Sequence, residues 1–121
     1  MPWEIVFSTE FEQWLQDLDL DSAKSIARSL SILRELGPML GRPHVDTLKG
    51  SRIKNLKELR THCSRHVYRT LFVFDADRNA IILIGGDKAG DKRFYLRMIL
   101  QAEELYEDYI NRSLPHEKKR I

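Results

Sequence analysis

Residues 65–86 read RHVYRTLFVFDADRNAIILIGG, the longest apolar stretch with strand character in the chain. Residues 65–75 and 80–86 are two runs of strand length, rich in β-branched and aromatic side chains. The polar segment Asp75-Ala76-Asp77-Arg78-Asn79 lies between them. Such a pattern predicts a β-hairpin. The runs are apolar almost throughout rather than alternating, which predicts strands in the middle of a sheet with both faces covered. Arg69 is the exception, because a guanidinium inside an apolar strand is costly unless it is paired or faces a cleft. Glu58 and Asp87 are the two candidate partners.

Outward toward the N-terminus, residues 52–60 (RIKNLKELR) read as a further strand, with Arg52, Lys54, Leu56, Glu58 and Arg60 on one face. Residues 37–51 hold Gly37, Pro38, Gly41, Pro43 and Gly50 and read as a loop. Before them, Ala23, Ile26, Ala27, Leu30, Leu33 and Leu36 form the stripe of a helix that Asp21 can cap and Gly37-Pro38 ends. Phe11, Trp14, Leu15 and Leu18 mark an earlier helix, with Thr9 and Glu12 in capping-box form, and residues 3–7 read as a first strand.

Toward the C-terminus, Gly85-Gly86-Asp87-Lys88-Ala89-Gly90-Asp91-Lys92-Arg93 reads as a glycine-rich, phosphate-compatible loop whose glycines allow close approach of a ligand. It lacks the spacing of a Walker loop or a dinucleotide fingerprint, so no nucleotide cofactor is expected. The stripe Phe94, Tyr95, Met98, Ile99, Ala102, Leu105, Tyr106, Tyr109 and Ile110 then predicts a final helix, with pairs such as Glu103-Glu104 on its solvated side. The predicted order is β-α-α-β-β-β-α, an α+β class. It makes one domain over residues 1–112, followed by a flexible polar tail over residues 113–121.

The 121 residues carry a net charge of +2, unevenly distributed. Residues 1–36 hold three Lys/Arg against seven Asp/Glu, whereas residues 37–75 hold eight against three. A basic middle suits a polyanion-binding face, and equally a merely solvated one. No apolar run is long enough to cross a bilayer, and Met1-Pro2-Trp3-Glu4 has no signal-peptide character. With a single cysteine, Cys63, this predicts a cytoplasmic protein. His62-Cys63-x-x-His66 lacks a fourth ligand, and neither a metal site nor a thiol nucleophile is expected there.

The element order resembles that of toxins of the RelE/ParE superfamily, and within it the phage-derived HigB-like branch. So do the runs Leu56-Lys57-Glu58-Leu59-Arg60 and Tyr68-Arg69-Thr70-Leu71-Phe72, and Gly85-Gly86-Asp87-Lys88 leading to Lys92-Arg93-Phe94-Tyr95. The resemblance covers about residues 2–110. It implies a small mixed sheet with an N-terminal helical hairpin and a C-terminal helix, and a ribosome-dependent mRNA endonuclease held inactive by a helix-turn-helix antitoxin. Arg69 then matches the arginine facing the scissile phosphate, Arg60 that of the L-x-E-L-R pattern, and Lys88 the basic residue after the last strand. Tyr95 matches the aromatic that orients the substrate base. Around these catalytic residues, Arg65, Lys57, Lys92, Arg93 and Lys54 are expected to bind RNA. The implied chemistry is metal-free attack of a ribose 2′-hydroxyl on the adjacent phosphate. Leu56 and Glu58 stand where some relatives place lysines, which leaves the general base unassigned. The alternatives are a ParE-like toxin that inhibits DNA gyrase by binding, and a degenerate domain that only binds RNA or its antitoxin.

Overall fold

The computed structural model describes residues 2–113. The sequence-predicted tail lies outside the described residues except for Ser113, which closes the last helix. Strand β1 (Glu4–Phe7) leads into helices α1 (Thr9–Gln16) and α2 (Leu20–Leu36), and a single 3₁₀ turn at Gly37–Met39 follows. Then come β2 (Val45–Thr47), β3 (Lys57–Cys63), β4 (His66–Phe74), β5 (Asn79–Asp87) and α3 (Phe94–Ser113). They form one five-stranded mixed sheet in the order β1-β5-β4-β3-β2, with β1 parallel to β5 and every other pair antiparallel.

Both helical starts are capped one or two residues earlier than the sequence suggested. Ser8, not Thr9, caps α1 by accepting from the Phe11 N–H, and Asp19, not Asp21, caps α2 by accepting from the Ser22 N–H. In each case the residue with extended φ/ψ is the one whose side-chain oxygen reaches the free N–H groups of the first turn.

Period-two alternation divides the core between the two faces of the sheet. Tyr68, Phe72, Ala80 and Ile82 pack with Phe11, Ile26, Leu30 and Leu33 under the α1–α2 hairpin. Leu71, Val73, Ile81 and Leu83 pack with Phe94, Met98 and Ala102 of α3. The central strands are therefore covered on both faces, which is why their sequence is apolar without alternation.

Three expectations change. Residues 52–56 are not strand; β3 begins at Lys57, and Asn55, with a φ of 62°, breaks the extended run before it. The loop read over residues 37–51 contains β2, which pairs with β3 through Val45↔Leu59, Asp46↔Glu58 and Thr47↔Lys57. Gly85 and Gly86 are strand residues facing the core rather than a ligand. A Cβ at Gly85 would strike the Trp14 ring, and one at Gly86 would lie 2.9 Å from Phe94 and from Met98. Gly86 stands beside Arg69 in the β4–β5 register, so the bare backbone there lets the first turn of α3 close onto the sheet.

Candidate nucleic-acid interface

That close approach brings Tyr95 over the α3 face of β3 and β4, where two arginines meet. Arg60 and Arg69 are direct cross-strand partners. Two cations in such positions repel unless something stands between them. Glu58, two residues before Arg60 on the same face, does so. Its carboxylate is buried, with the side chain 3% exposed. Arg60 donates from Nε to Oε2 at 3.1 Å, and its Nη2 lies 3.1 Å from the same oxygen. Arg69 Nε lies 3.3 Å from Oε1, and the Tyr95 hydroxyl donates to the same oxygen at 2.6 Å. The costly arginine is thus paired, with Glu58 rather than Asp87.

Arg69 Nε also donates to the Tyr95 oxygen at 3.3 Å, and Nη1 to the carbonyl of Tyr68 at 3.1 Å. These bonds engage Nε and Nη1, which leaves Nη2 for a ligand. Arg60 Nη2 reaches Asp46 Oδ2 at 3.3 Å, and the same oxygen takes Arg42 Nη2 at 3.1 Å. The Arg42 side chain and the Thr47 N–H hold the Asp46 carboxyl below the usual range. For Tyr95, burial first and the Glu58 hydrogen bond second push the phenol above its ordinary value. At neutral pH it is therefore a neutral hydroxyl and a donor, not a phenolate base.

Lys88 stands on the rim with Nζ 5.8 Å from the centroid of the Tyr95 ring. Arg65 is exposed on the β3–β4 turn, and Lys92 and Arg93 are exposed on the β5–α3 connection. Among the described residues none of these four makes an ion pair, while Glu58 and Asp91 are each paired with arginine. Asp87 accepts from His66 Nδ1 at 2.6 Å and from the Val67 and Ala89 N–H groups. Asp91 pairs with Arg97 at 2.7 Å. With Glu58 and Asp91 matched by arginines, the unpaired cations favour anions on this surface despite the small net charge.

Two of the expected cations are not brought to this cluster. Lys57 lies on the α1–α2 face of β3 and donates to Thr47 Oγ1 at 2.8 Å. Lys54 is exposed in the loop after β2 and lines a cavity of about 300 Å³ with Tyr106 and Ile110, toward the far end of α3. Glu103 is also not on a solvated side. It is 6% exposed and ties that loop to α3 by accepting from Ser51 Oγ, Arg52 N and Arg52 Nε. His62, Cys63 and His66 do not converge: Cys63 packs toward the α1–α2 core while His62 is exposed on the opposite face. Sequence reasoning missed the centre of the site. The sequence offers Glu58 only as one of two possible partners for Arg69, and Asp46 lies in a segment without strand periodicity.

Residues 13–107 match the family model described as phage-derived protein Gp49-like. Two curated proteins of Mycobacterium tuberculosis, both named as toxins, are similar in sequence. HigB2 is 41% identical over 99 residues, which is 80% of this chain and 49% of HigB2. HigB3 is 38% identical over 107 residues, 88% of this chain and 92% of HigB3. The chain therefore spans about half the length of HigB2 and nearly all of HigB3. Among solved structures, the fold is similar to a chain of the archaeal RelE–RelB complex from Pyrococcus horikoshii OT3. The TM-score is 0.55 at 18% identity, over 74% of this chain and 99% of that one, a likeness that bears on the fold alone.

Proposed function

The chain belongs to the phage-derived Gp49-like family, and from that membership and its similarity to HigB2 and HigB3 we propose that it is a HigB-like toxin of the RelE superfamily, the toxin of a type II toxin–antitoxin pair, cutting ribosome-bound mRNA without a metal. The observation that carries this reading is Arg69. Its guanidinium is nearly buried, held by Glu58, Tyr95 and the Tyr68 carbonyl, and leaves Nη2 uncommitted.

Cleavage by attack of a ribose 2′-hydroxyl forms the O2′–P bond and breaks the P–O5′ bond. The 2′-hydroxyl proton leaves, the departing 5′-oxygen gains one, and the products are a 2′,3′-cyclic phosphate and a 5′-hydroxyl. The crowded phosphorane between them carries extra negative charge. Donors held in place before the reaction stabilise that charge without reorganising, and a planar fork does so better than a mobile ammonium. Glu58 supplies the fixing: it sets the orientation of Arg69 and Arg60 together. Lys88 adds a positive charge at the rim, and Tyr95 offers a ring against which a base can stack. In this reading Arg65, Lys92 and Arg93 guide the flanking phosphates. The partner that silences the toxin is a helix-turn-helix antitoxin, and both work in the cytoplasm. No described helix is long and apolar enough to cross a membrane.

The test is induced expression together with cleavage by the purified chain on ribosome-bound mRNA, with end mapping. Growth arrest, 2′,3′-cyclic phosphate ends and persistence of the chemical step in chelator on preassembled ribosomes are expected. Arg69→Lys, which keeps the charge but loses the fork, is expected to lower cleavage by about 10²-fold or more while remaining folded. Full toxicity of a folded Arg69→Lys or Arg69→Ala protein would overturn the role of Arg69. Arrest accompanied by gyrase inhibition and no RNA cleavage would overturn the nuclease reading.

A further inference from the structure

The Tyr95 hydroxyl occupies a seat of defined chemistry. It donates to Glu58 Oε1 at 2.6 Å and accepts from Arg69 Nε at 3.3 Å, so the seat has a carboxylate acceptor on one side and a guanidinium donor on the other. Any hydroxyl that both donates and accepts fits it. Tyr95 is attached at the second position of α3, its ring only partly buried, with the cation of Lys88 over its face and the exposed Leu96 beside it in sequence. Glu58 and Arg69 are fixed by the strands and by their other partners. Of the three groups, the tyrosine is the least buried and the one carried on a helix rather than on the strands of the sheet.

We infer that the Tyr95 hydroxyl is a placeholder for the ribose 2′-hydroxyl of the bound RNA, which takes over its bonds to Glu58 and Arg69 when Tyr95 turns aside. This rests on the nuclease reading and deepens it, because it names the atoms that distinguish ribose from deoxyribose. Arg69 Nη2 remains beside the seat for the 3′-phosphate that adjoins a 2′-hydroxyl, so one arginine reads both groups. A deoxynucleotide offers nothing to the seat and leaves Tyr95 in place. The tyrosine thus competes with the substrate, and RNA that is not held in position by other contacts gains little by displacing it. The phenol itself is held above its ordinary pKa by burial and by Glu58, so at neutral pH it is protonated and competes as a donor.

The competition is measured with ligands that cannot be cleaved. Ribonucleoside 3′-monophosphates carry the 2′-hydroxyl and the adjoining phosphate but no departing nucleotide, and their 2′-deoxy counterparts lack only the hydroxyl. Their affinities for the native full-length chain and for Tyr95→Phe, which keeps the ring and vacates the seat, form a thermodynamic cycle. The ribo-over-deoxy preference is expected to be small in the native chain and to rise about tenfold in Tyr95→Phe, the scale of one hydrogen bond to a charged group. An unchanged or reduced preference in a folded Tyr95→Phe protein, or failure of that protein to bind the ribonucleotide, overturns the inference. A second readout needs no variant: in the native chain with labelled tyrosine, the Tyr95 ring carbon bearing the hydroxyl should shift with the ribonucleotide and not with the deoxynucleotide. Equal response to both also overturns it. Cleavage of ribosome-bound mRNA by the native chain is scored separately, so loss of the seat with cleavage intact leaves the nuclease reading standing.

Discussion

Glu58 carries more of the site's architecture than any cation around it. Arg60 and Arg69 face each other across β3 and β4, and its carboxylate takes bonds from both as well as from Tyr95. Removing one member of a buried ion pair leaves an uncompensated charge and costs about 3–5 kcal/mol. Glu58→Ala is therefore expected to fall in that range, and Glu58→Gln, which keeps one acceptor and the shape, to cost less. Arg60 retains Asp46, so the loss should fall mainly on Arg69 and Tyr95. Urea unfolding of the two variants checks this, and a loss under about 1 kcal/mol for Glu58→Ala would contradict the pairing. The cost of Arg69 in an apolar run was legible from the sequence, as was a carboxylate to meet it. Which carboxylate was not, because that depends on register. Asp87, the other possibility, is next to Lys88 but turns to His66 on the opposite face.

Element boundaries explain most of what the sequence concealed. Arg52, Lys54, Leu56, Glu58 and Arg60 alternate as a strand does, yet the chain is extended only from Lys57, and residues 52–56 curl to bury Ile53 and Leu56 against α3. Strand β2 is three residues long between Pro43 and Gly50 and gives no periodic signal, although it supplies Asp46. The long strands β4 and β5 and the stripe of α3 were legible because each buries enough apolar surface to impose its period. Glu103 was concealed for a different reason: helical spacing places it at an edge, and only the loop folding over it buries it. The Arg52 N–H first, and the Ser51 hydroxyl next, hold its carboxyl below the usual range. A depressed carboxyl contributes stability that is complete above the unfolded value, about 4.3 for glutamate, and is lost as pH falls through the folded one. Glu103→Gln is thus expected to lower stability by about 1–2 kcal/mol at pH 7. The difference in melting temperature should close as the pH is taken from 5 toward 3. A difference that stayed constant across that interval would mean that the carboxylate charge plays no part in fastening the loop to α3.

At the scale of the whole molecule, charge is separated rather than abundant. The α1–α2 hairpin falls in the acidic residues 1–36, whereas Lys88 lies over the Tyr95 ring, Lys92 and Arg93 are exposed on the connection into α3, and Arg65 is exposed on the β3–β4 turn. The basic middle of the chain and all of the element order except β2 were legible at this scale, and that order, with the runs 56–60, 68–72 and 85–95, carried the resemblance that implied the fold. Which cations share a surface was not, since Lys57 and Lys54 are close in sequence to Arg60 and remote from the cluster in space. The distinction has a measurable consequence. Binding of single-stranded RNA weakens with salt by about 0.7 logarithmic units per phosphate neutralised, so the four unpaired cations together with Arg69 set a limiting slope of about −3.5. The native chain should approach but not exceed that slope with a short oligoribonucleotide, in fluorescence anisotropy over a salt series. Lys88→Ala and Arg93→Ala should each reduce its magnitude by about 0.7. Lys57→Ala should leave it unchanged, because that lysine points to the hairpin side and is bonded to Thr47. A fall for Lys57→Ala equal to the other two would mean that RNA responds to the total charge of the chain rather than to this face. On the proposed nuclease reading, the same slope bears on where cutting would occur: a surface offering so few phosphate contacts holds free RNA weakly at physiological salt, so that reading expects the ribosome, which presents mRNA already extended, to supply the positioning.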